Sequence, residues 1–301
     1  MRFGSINNEV KAPEVITIEP DKSITLEPIN KKDHGIIIHN DDSSVFRPCA
    51  ILLNNDLSVC IPNELKDIDQ HIIPPLNAGW ITRRKSNHFK FYDDVVNEFA
   101  DFTKIDPWLI NPFFEKISNL DFHERKGEKE LSQRVGSLLK KIQDKYDQHQ
   151  IKHAPYVVIK ADAGTYGMGI MIAKSPEDVL SLNRKKRNKM SVIKEGVKVS
   201  EVIIQEGIHT EEHIDGAVTE PVIYMIDHFV IGGFYRVHTA KGKDENLNAP
   251  GMHFIPQPFE TSCLMPDQGR PCDDEANRFY AYGVIARLAL IAAARELEIK
   301  S

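Results

Sequence analysis

The chain has 301 residues, 41% apolar and 27% charged, with a net charge of −6. That is a globular composition, long enough for one large domain or two ordinary ones. The negative charge argues against a nucleic-acid binder, no apolar run approaches the ~20 residues of a membrane span, and Met1–Val15 lacks the apolar core of a signal peptide. The cysteines Cys49, Cys60, Cys263 and Cys272 show no C-x-x-C spacing, so free thiols in a reducing compartment, the cytoplasm, are expected. Cys49 and Cys60 could still be neighbours on one hairpin.

Residues 1–75 read as strand-rich. Met1–Ile6 looks like a strand with no preceding element to pair with, which suggests part of a larger α/β N-terminal domain. Val15–Ile18 and Ser23–Leu26 flank a turn at Glu19-Pro20-Asp21-Lys22. Gly35–His39 is a further apolar run, and Cys49–Leu53 reads as a buried strand. Asn54–Ser58 after it is either a turn and helix cap or a ligand-facing edge.

Residues 76–150 read as a helical subdomain. Arg83-Arg84-Lys85 before Ser86-Asn87 is either a solvated face or a phosphate-contacting helix start. Asp94–Phe102 has a helical apolar face. Asp106-Pro107-Trp108 reads as a turn into another apolar helix through Phe114. Glu130–Tyr146 places Leu131, Val135, Leu138, Leu139, Ile142 and Tyr146 at helical spacing.

Residues 151–301 hold the most informative stretch, YVVIKADAGTYGMGIMIAK over 156–174. A buried strand ends at Lys160, a loop of small residues carries Gly164, Gly167 and Gly169, and Ile170–Ile172 resumes a strand. Glycine lets backbone N–H groups approach phosphate oxygens, and a lysine adds a point charge. The spacing is neither a P-loop nor a dinucleotide fingerprint, and an ordinary glycine-rich hairpin is the alternative. Ser175–Leu182 reads as a short helix with Ser175 as N-cap. Asn183–Lys189 carries five cations, as a solvated loop or as a lid over phosphates. Glu201–Ile208 is a strand ending in Gln205-Glu206-Gly207-Ile208. Thr219–Asp227 and Phe229–His238 form a hairpin turned at Asp227-His228, with Glu220, Asp227, Arg236 and His238 outward. Asp244–Met252 is a polar loop, and Asp274–Glu298 is one long helix.

ATP-dependent ligation needs a strand-end hinge for adenine, a glycine flap and lysines for the triphosphate, oxygen donors for Mg2+, and a cation for the transferred phosphoryl group. The chain offers these in order: Lys85, Lys160, the flap, the hinge at 205–208, then acids and amides at 220–248 around Arg236. The order of elements resembles the ATP-grasp superfamily, in which two α+β subdomains hold ATP between them. Glutathione synthetase-like members, with Lys160, Gln205-Glu206, Arg236 and Asn246-Leu247 as the matching residues, are the most similar.

A more specific resemblance rests on LLNNDLS (52–58), AGWITRRKSNHF (78–89), IDPWLINPFF (105–114), KADAGTYGMGIM (160–171), NRKKRNKM (183–190), IIQEGIHT (203–210), EPVIYMIDHFVIGGFYRVH (220–238), ENLNAPGMHF (245–254) and NRFYAYGVIARLAL (277–290). These segments resemble the proteobacterial type of glutamate–cysteine ligase, which makes γ-glutamylcysteine, the first step of glutathione synthesis. The resemblance implies an α+β ATP-grasp fold over 76–301, preceded by part of an α/β domain over 1–75, and a cytoplasmic enzyme using ATP and Mg2+. It implies Lys160, Gly164, Tyr166, Gly167, Gly169, Gln205, Glu206 and Ile208 on ATP, and Lys85 and Arg236 as catalytic cations. Glu245 and Asn248, with Glu220 next, are the expected metal ligands, although Glu245–Asn248 could merely cap a turn. Glu275-Ala276-Asn277 has the spacing of the usual ATP-grasp metal pair but opens a helix. Family members carry an extra N-terminal region, so we expect this chain to bind Mg-ATP, to self-associate and to turn over poorly. Another carboxylate–amine ligase and a nucleotide-binding module without turnover are the rival readings.

Overall fold

A computed structural model of the chain describes residues 1–6, 11–19, 22–57, 60–163, 169–191, 198–257 and 277–298. The chain divides into two units, Met1–Thr82 and Arg83–Ser301.

The first unit carries β1 (Phe3–Ser5), β2 (Glu14–Glu19), β3 (Lys22–Pro28), β4 (Asn30–Lys32), β5 (Gly35–His39), β6 (Val45–Phe46), β7 (Ala50–Leu52) and β8 (His71–Ile73). They form three small sheets in the orders β1-β3-β2, β4-β5-β6 and β7-β8. The expected β2–β3 hairpin forms, antiparallel from Glu14 opposite Leu26 to Glu19 opposite Lys22. Strand β1 is not an orphan: it pairs in parallel with β3, Phe3 opposite Leu26. The Cys49–Leu53 run is not buried, because β7 is a short strand that among the described residues pairs only with β8, and Leu52 is 70% exposed. Asn54–Leu57 is a turn rather than a helix cap: Asn55 Oδ1 accepts from Leu57 N at 2.8 Å, and Leu57 enters the core. Gln70 substitutes for a strand, exchanging bonds with the Ile36 backbone and donating to Pro48 O at 2.7 Å. Cys49 and Cys60 are exposed and unbridged; Cys263 and Cys272 lie outside the described residues.

In the second unit α1 (Lys85–Thr103) packs on α5 (Arg278–Glu298), burying Tyr92, Val95 and Val96 against Leu288 and Ala292. Arg83 donates to the buried Glu296 carboxylate at 2.8 Å, and Arg295 forks onto Glu98 at 2.7 and 2.8 Å. A four-stranded antiparallel sheet runs β11-β10-β12-β9. Its strands are β9 (Phe114–Ile117), β10 (Val157–Ala161), β11 (Ile170–Ala173) and β12 (Val202–Glu206). Helix α2 (Glu128–Gln148) covers one face with the predicted stripe, Leu131, Val135, Leu138, Leu139, Ile142 and Tyr146. Strand period two decides which β10 residues join that core. Val157, Ile159 and Ala161 are buried beneath α2, so Val158 and Lys160 face the other way.

Three segments of this unit differ from the sequence reading. Residues 107–114 are not a helix: Pro107–Leu109 is a single 3-10 turn and Phe114 opens β9. Pro112 lacks the N–H that a helix through it would need. Ser175 does not cap α3 (Glu177–Leu180); Asp178 Oδ2 instead accepts from Lys174 N and Ser175 N at 2.8 and 2.9 Å. The cationic run 183–189 is not a loop: from Arg184 onward it is α4 (Arg184–Ser191). Asn183 Oδ1 accepts from Lys186 N at 2.9 Å and Met190 anchors the helix in the core.

The second sheet of this unit runs β13 (His213–Ile214), β14 (Ala217–Ile226), β15 (Phe229–His238) and β16 (His253–Gln257), in that order. The β14–β15 hairpin turns where expected, with Asp227 at φ 51°. His238 is not outward as the alternation suggested. It is 4% exposed, with Nε2 3.0 Å from Pro250 O and Nδ1 accepting from Ala240 N at 3.2 Å. Among the described residues no helix is long and apolar enough to cross a membrane.

Candidate active site

A cavity of about 280 Å³ lies between these two sheets. One wall is the face of the first sheet turned away from α2: Val158 and Lys160 of β10, Ile170 and Ile172 of β11, and Gln205 of β12. The opposite wall brings Glu220 of β14 together with Asp244, Glu245 and Asn246 of the following polar loop. Glu206–Ile208, Thr210 and Tyr156 complete the lining.

The 205–208 hinge is held from both sides. Glu206 N donates to Phe113 O at 2.8 Å and Gly207 N to Tyr156 O at 2.8 Å. The Tyr156 hydroxyl donates to Ile208 O at 2.7 Å. Gly207 is required by close approach, since a Cβ there would lie 2.0 Å from the Tyr156 ring. The Glu206 carboxylate turns into the core, accepting from Trp108 Nε1 at 3.0 Å and Phe113 N at 3.0 Å. Burial pushes its carboxyl above the usual carboxylate range, and those two donors act against that shift. The Glu206 carboxylate and its backbone N–H are thus both engaged within the protein.

Lys160 is half-buried, with its Nζ 5.7 Å from the Phe89 ring centre. Burial lowers its pKa, because the ammonium has lost water. Lys85 opens α1 and donates from Nζ to Ala161 O at 2.9 Å. Burial first, and then repulsion from Lys160, bring Lys85 down to about 8. Two partly desolvated ammonium groups close enough to repel attract an anion more strongly than two solvated ones.

The acidic wall is paired rather than bare. Arg236 Nη1 lies 3.1 Å from Glu220 Oε2, the two facing each other directly across β14 and β15. Lys174 bonds Asp244. Glu245 accepts from Lys241 Nζ at 2.9 Å and from Gly242 N at 2.8 Å. Asn246 Oδ1 accepts from Asn248 N at 3.0 Å, and Leu247 between them is fully buried.

Of the residues expected from sequence, Lys160, Gln205, Glu206, Ile208, Glu220 and Glu245 meet on this one cavity. Arg236 and Lys85 do not line it: Arg236 pairs with Glu220, which does, and Lys85 lies close enough to Lys160 for the two charges to repel. Asn248 does not line it; Asn246 does. Gly169 sits directly before β11 with φ 63°. Gly164, Tyr166 and Gly167 of the flap, and Glu275 and Ala276, lie outside the described residues, while Asn277 caps the first turn of α5 through Tyr280 N at 3.2 Å. Sequence reasoning missed Tyr156, Asp162 and Asp244. Tyr156 carried a signal, since it opens the strand whose other end is Lys160.

The architecture is a mixed α+β protein with a cleft that sets the half-buried Lys160 against carboxylates across two antiparallel sheets. The family model for glutamate–cysteine ligase matches residues 1–297, and the chain belongs to that family. A 1.90 Å crystal structure of a protein from Methylobacillus flagellatus KT, assigned as a gamma-glutamylcysteine synthetase, is 59% identical. It superposes with a TM-score of 0.88 over 100% of this chain and 70% of that one. D-alanyl-alanine synthetase A from Vibrio cholerae O1 superposes at a TM-score of 0.38 with 10% identity, over 92% of this chain and 70% of that one, too loosely to carry an argument. Among proteins with curated descriptions none matches.

Proposed function

We propose that the cleft binds ATP in an ATP-grasp arrangement and that the chain joins the γ-carboxylate of glutamate to the amine of cysteine. The observation that carries this reading is that Lys160 and the fixed hinge 205–208 line one cavity. Adenine would meet the hinge at backbone groups other than those already bonded to Phe113 and Tyr156, and the phosphates would run along β10 toward Lys160 and Lys85. An oxygen of the glutamate γ-carboxylate attacks the γ-phosphorus and the bond to ADP breaks, giving γ-glutamyl phosphate. The cysteine nitrogen then attacks the acyl carbon, inorganic phosphate leaves with the carbon–oxygen electron pair, and the amine loses a proton. Neither step needs a protein nucleophile; positioning and charge neutralisation suffice. Arg236 is the cation we assign to the transferred phosphoryl group, once substrate competes with Glu220 for it.

Mg2+ prefers hard oxygen donors and is held by one or two carboxylates plus substrate phosphates. The donors on the acidic wall have that chemistry, although among the described residues no three His, Cys, Asp or Glu side chains gather as a ready-made metal group. Glu245 and Glu220 would hold the ion, with Asn246, which lines the cavity where Asn248 does not, as the nearby amide, and the ion would neutralise phosphate charge. The test is ADP release by the 301-residue chain with each amino acid alone and with both. Release that requires glutamate and cysteine together supports the reading. Release with γ-glutamylcysteine and glycine instead would make the chain a glutathione synthetase-like ligase.

A further inference from the structure

Asp162 directly follows β10, and its side chain is fully buried. A carboxylate does not stay buried without strong partners. Its side-chain partners lie on two separate elements. Oδ1 accepts from Ser86 N at 2.7 Å and Oδ2 from the Ser86 hydroxyl at 2.7 Å, both in the first turn of α1. The ammonium of Lys116 on β9 lies 3.4 Å from Oδ2. The backbone of the same residue completes the junction. Asp162 O accepts from Lys85 N at 3.1 Å, and Asp162 N donates to Glu201 O at 3.1 Å. One residue further back, Ala161 O accepts from the Lys85 ammonium. Helix α1 has no side-chain cap of its own, since Arg84 precedes it, so Asp162 supplies the capping oxygens from another strand.

We propose that Asp162 is a positioning residue: it clamps the first turn of α1 to the end of β10 and thereby holds the Lys85 ammonium beside Lys160, toward the phosphates of the nucleotide. This rests on the reading of Lys85 and Lys160 as phosphate contacts. The clamp is electrostatic as well as mechanical. Lys85 is faced by Lys160 and Arg84, which disfavour its charge, and by Asp162, which favours it. Asp162 is faced in turn by Lys116, and Glu201 sits 3.0 Å from that same Lys116. Burial and Lys160 bring Lys85 to about 8, and Asp162 is the group that acts against them in favour of its charged form.

The consequence is a pH limb in nucleotide binding. The charged form of Lys85 binds phosphate, so affinity for Mg-ATP falls as pH rises through the Lys85 pKa. Asp162→Asn keeps the shape and one acceptor for Ser86 N but removes the charge that favours the ammonium. The limb should then move to lower pH by about one unit, as expected for losing an adjacent opposite charge. Lys116→Met removes the cation that offsets Asp162, and the limb should move to higher pH. Ser86→Ala loses a hydrogen bond but no charge, so the limb should stay in place.

Calorimetric titration of the full chain with Mg-ATP between pH 6.5 and 9.5 reads all three, with circular dichroism to check folding. If Asp162→Asn does not fold, the opposite shift of Lys116→Met still decides the matter. Unshifted limbs in the folded Asp162→Asn and Lys116→Met proteins would leave Asp162 a purely structural cap and overturn the proposal. Lys85→Met separates the two levels. If it abolishes the limb while Asp162→Asn leaves the limb in place, the clamp is wrong but the phosphate contact stands. If the limb survives in Lys85→Met, the phosphate role of Lys85 is wrong, and the clamp proposal that rests on it falls too.

Discussion

The two sheets that border the cleft are buried very differently. In the sheet of β9–β12, Val157, Ile159, Val202 and Ile204 are completely buried beneath α2. In the sheet of β13–β16, Tyr224, Ile226, Phe229 and Ile231 are each more than half exposed along the hairpin. The cation-bearing wall is therefore part of a close-packed core, where a side chain can be held with its charge partly desolvated. The acid-bearing wall stands on a thinner support, and its charges rest in ion pairs near the surface. Pairs of that kind contribute little to stability and exchange partners readily. A wall of the first kind suits fixed recognition of phosphate, and one of the second kind suits groups that must let go of a protein partner to take up a ligand.

The largest effect should come from the cores themselves. Ile204→Ala should destabilise the protein by about 2–5 kcal/mol in urea unfolding, the cost of a cavity in a packed core. Ile231→Ala, at 57% exposure, should cost less than about 1 kcal/mol. Equal losses would erase the contrast between the sheets.

Next is Glu206→Gln, which puts an NH2 group against one of the two N–H donors now shared by the carboxylate. A loss of about 1–3 kcal/mol is expected, the cost of an unsatisfied buried donor. The pH dependence follows from the raised carboxyl. The native state keeps this proton to higher pH than the unfolded chain does. The stability tied to that proton is thus complete below the unfolded value and is lost as pH rises through the folded one. Glu206→Gln should remove this slope, and a variant with the parental slope would place its origin elsewhere.

Asp106 tests the opposite sign. A hydrogen bond from Lys145 at 2.6 Å, joined by Trp108 N and His149, holds its carboxyl at about 2. Its contribution is present above the unfolded value near ~4 and is lost as pH falls toward the folded one. Asp106→Asn should flatten stability between pH 4 and 2, measured by denaturation at stepped pH. An unchanged acid limb would dismiss the pair as a contributor.

The smallest effect on the fold should come from Glu245→Gln on the acidic wall. Stability should change by less than about 0.5 kcal/mol, since only exposed bonds to Lys241 and Gly242 weaken. The magnesium concentration needed for half-maximal ADP release should rise several-fold. Parental magnesium dependence would rule Glu245 out as a ligand.

Period and punctuation made much of this legible. The α2 stripe, the β14–β15 hairpin and the strand ending in Lys160 follow from spacing alone, because each buries one face and has a clear turn or breaker at its end. The 107–114 segment was misread because its apolar residues fit a short helix as well as a strand, and β9 exists only by pairing with β12, which lies far along the chain. His238 was misread because alternation assigns a face, not burial, and the turn 239–252 folds back over it. Asp162 carried no local signal at all. Its partners Ser86 and Lys116 are separated from it by 76 and 46 positions, and only the fold brings them together.

Calorimetry of Mg-ATP binding to the parent chain and to Lys160→Ala addresses the cleft most directly. Loss of a charge-assisted contact should weaken binding by about 1.5–3 kcal/mol, with unfolding by urea unchanged to within about 1 kcal/mol. Equal affinity in the two folded proteins would remove Lys160 from the nucleotide site and with it the assignment of this cavity to ATP.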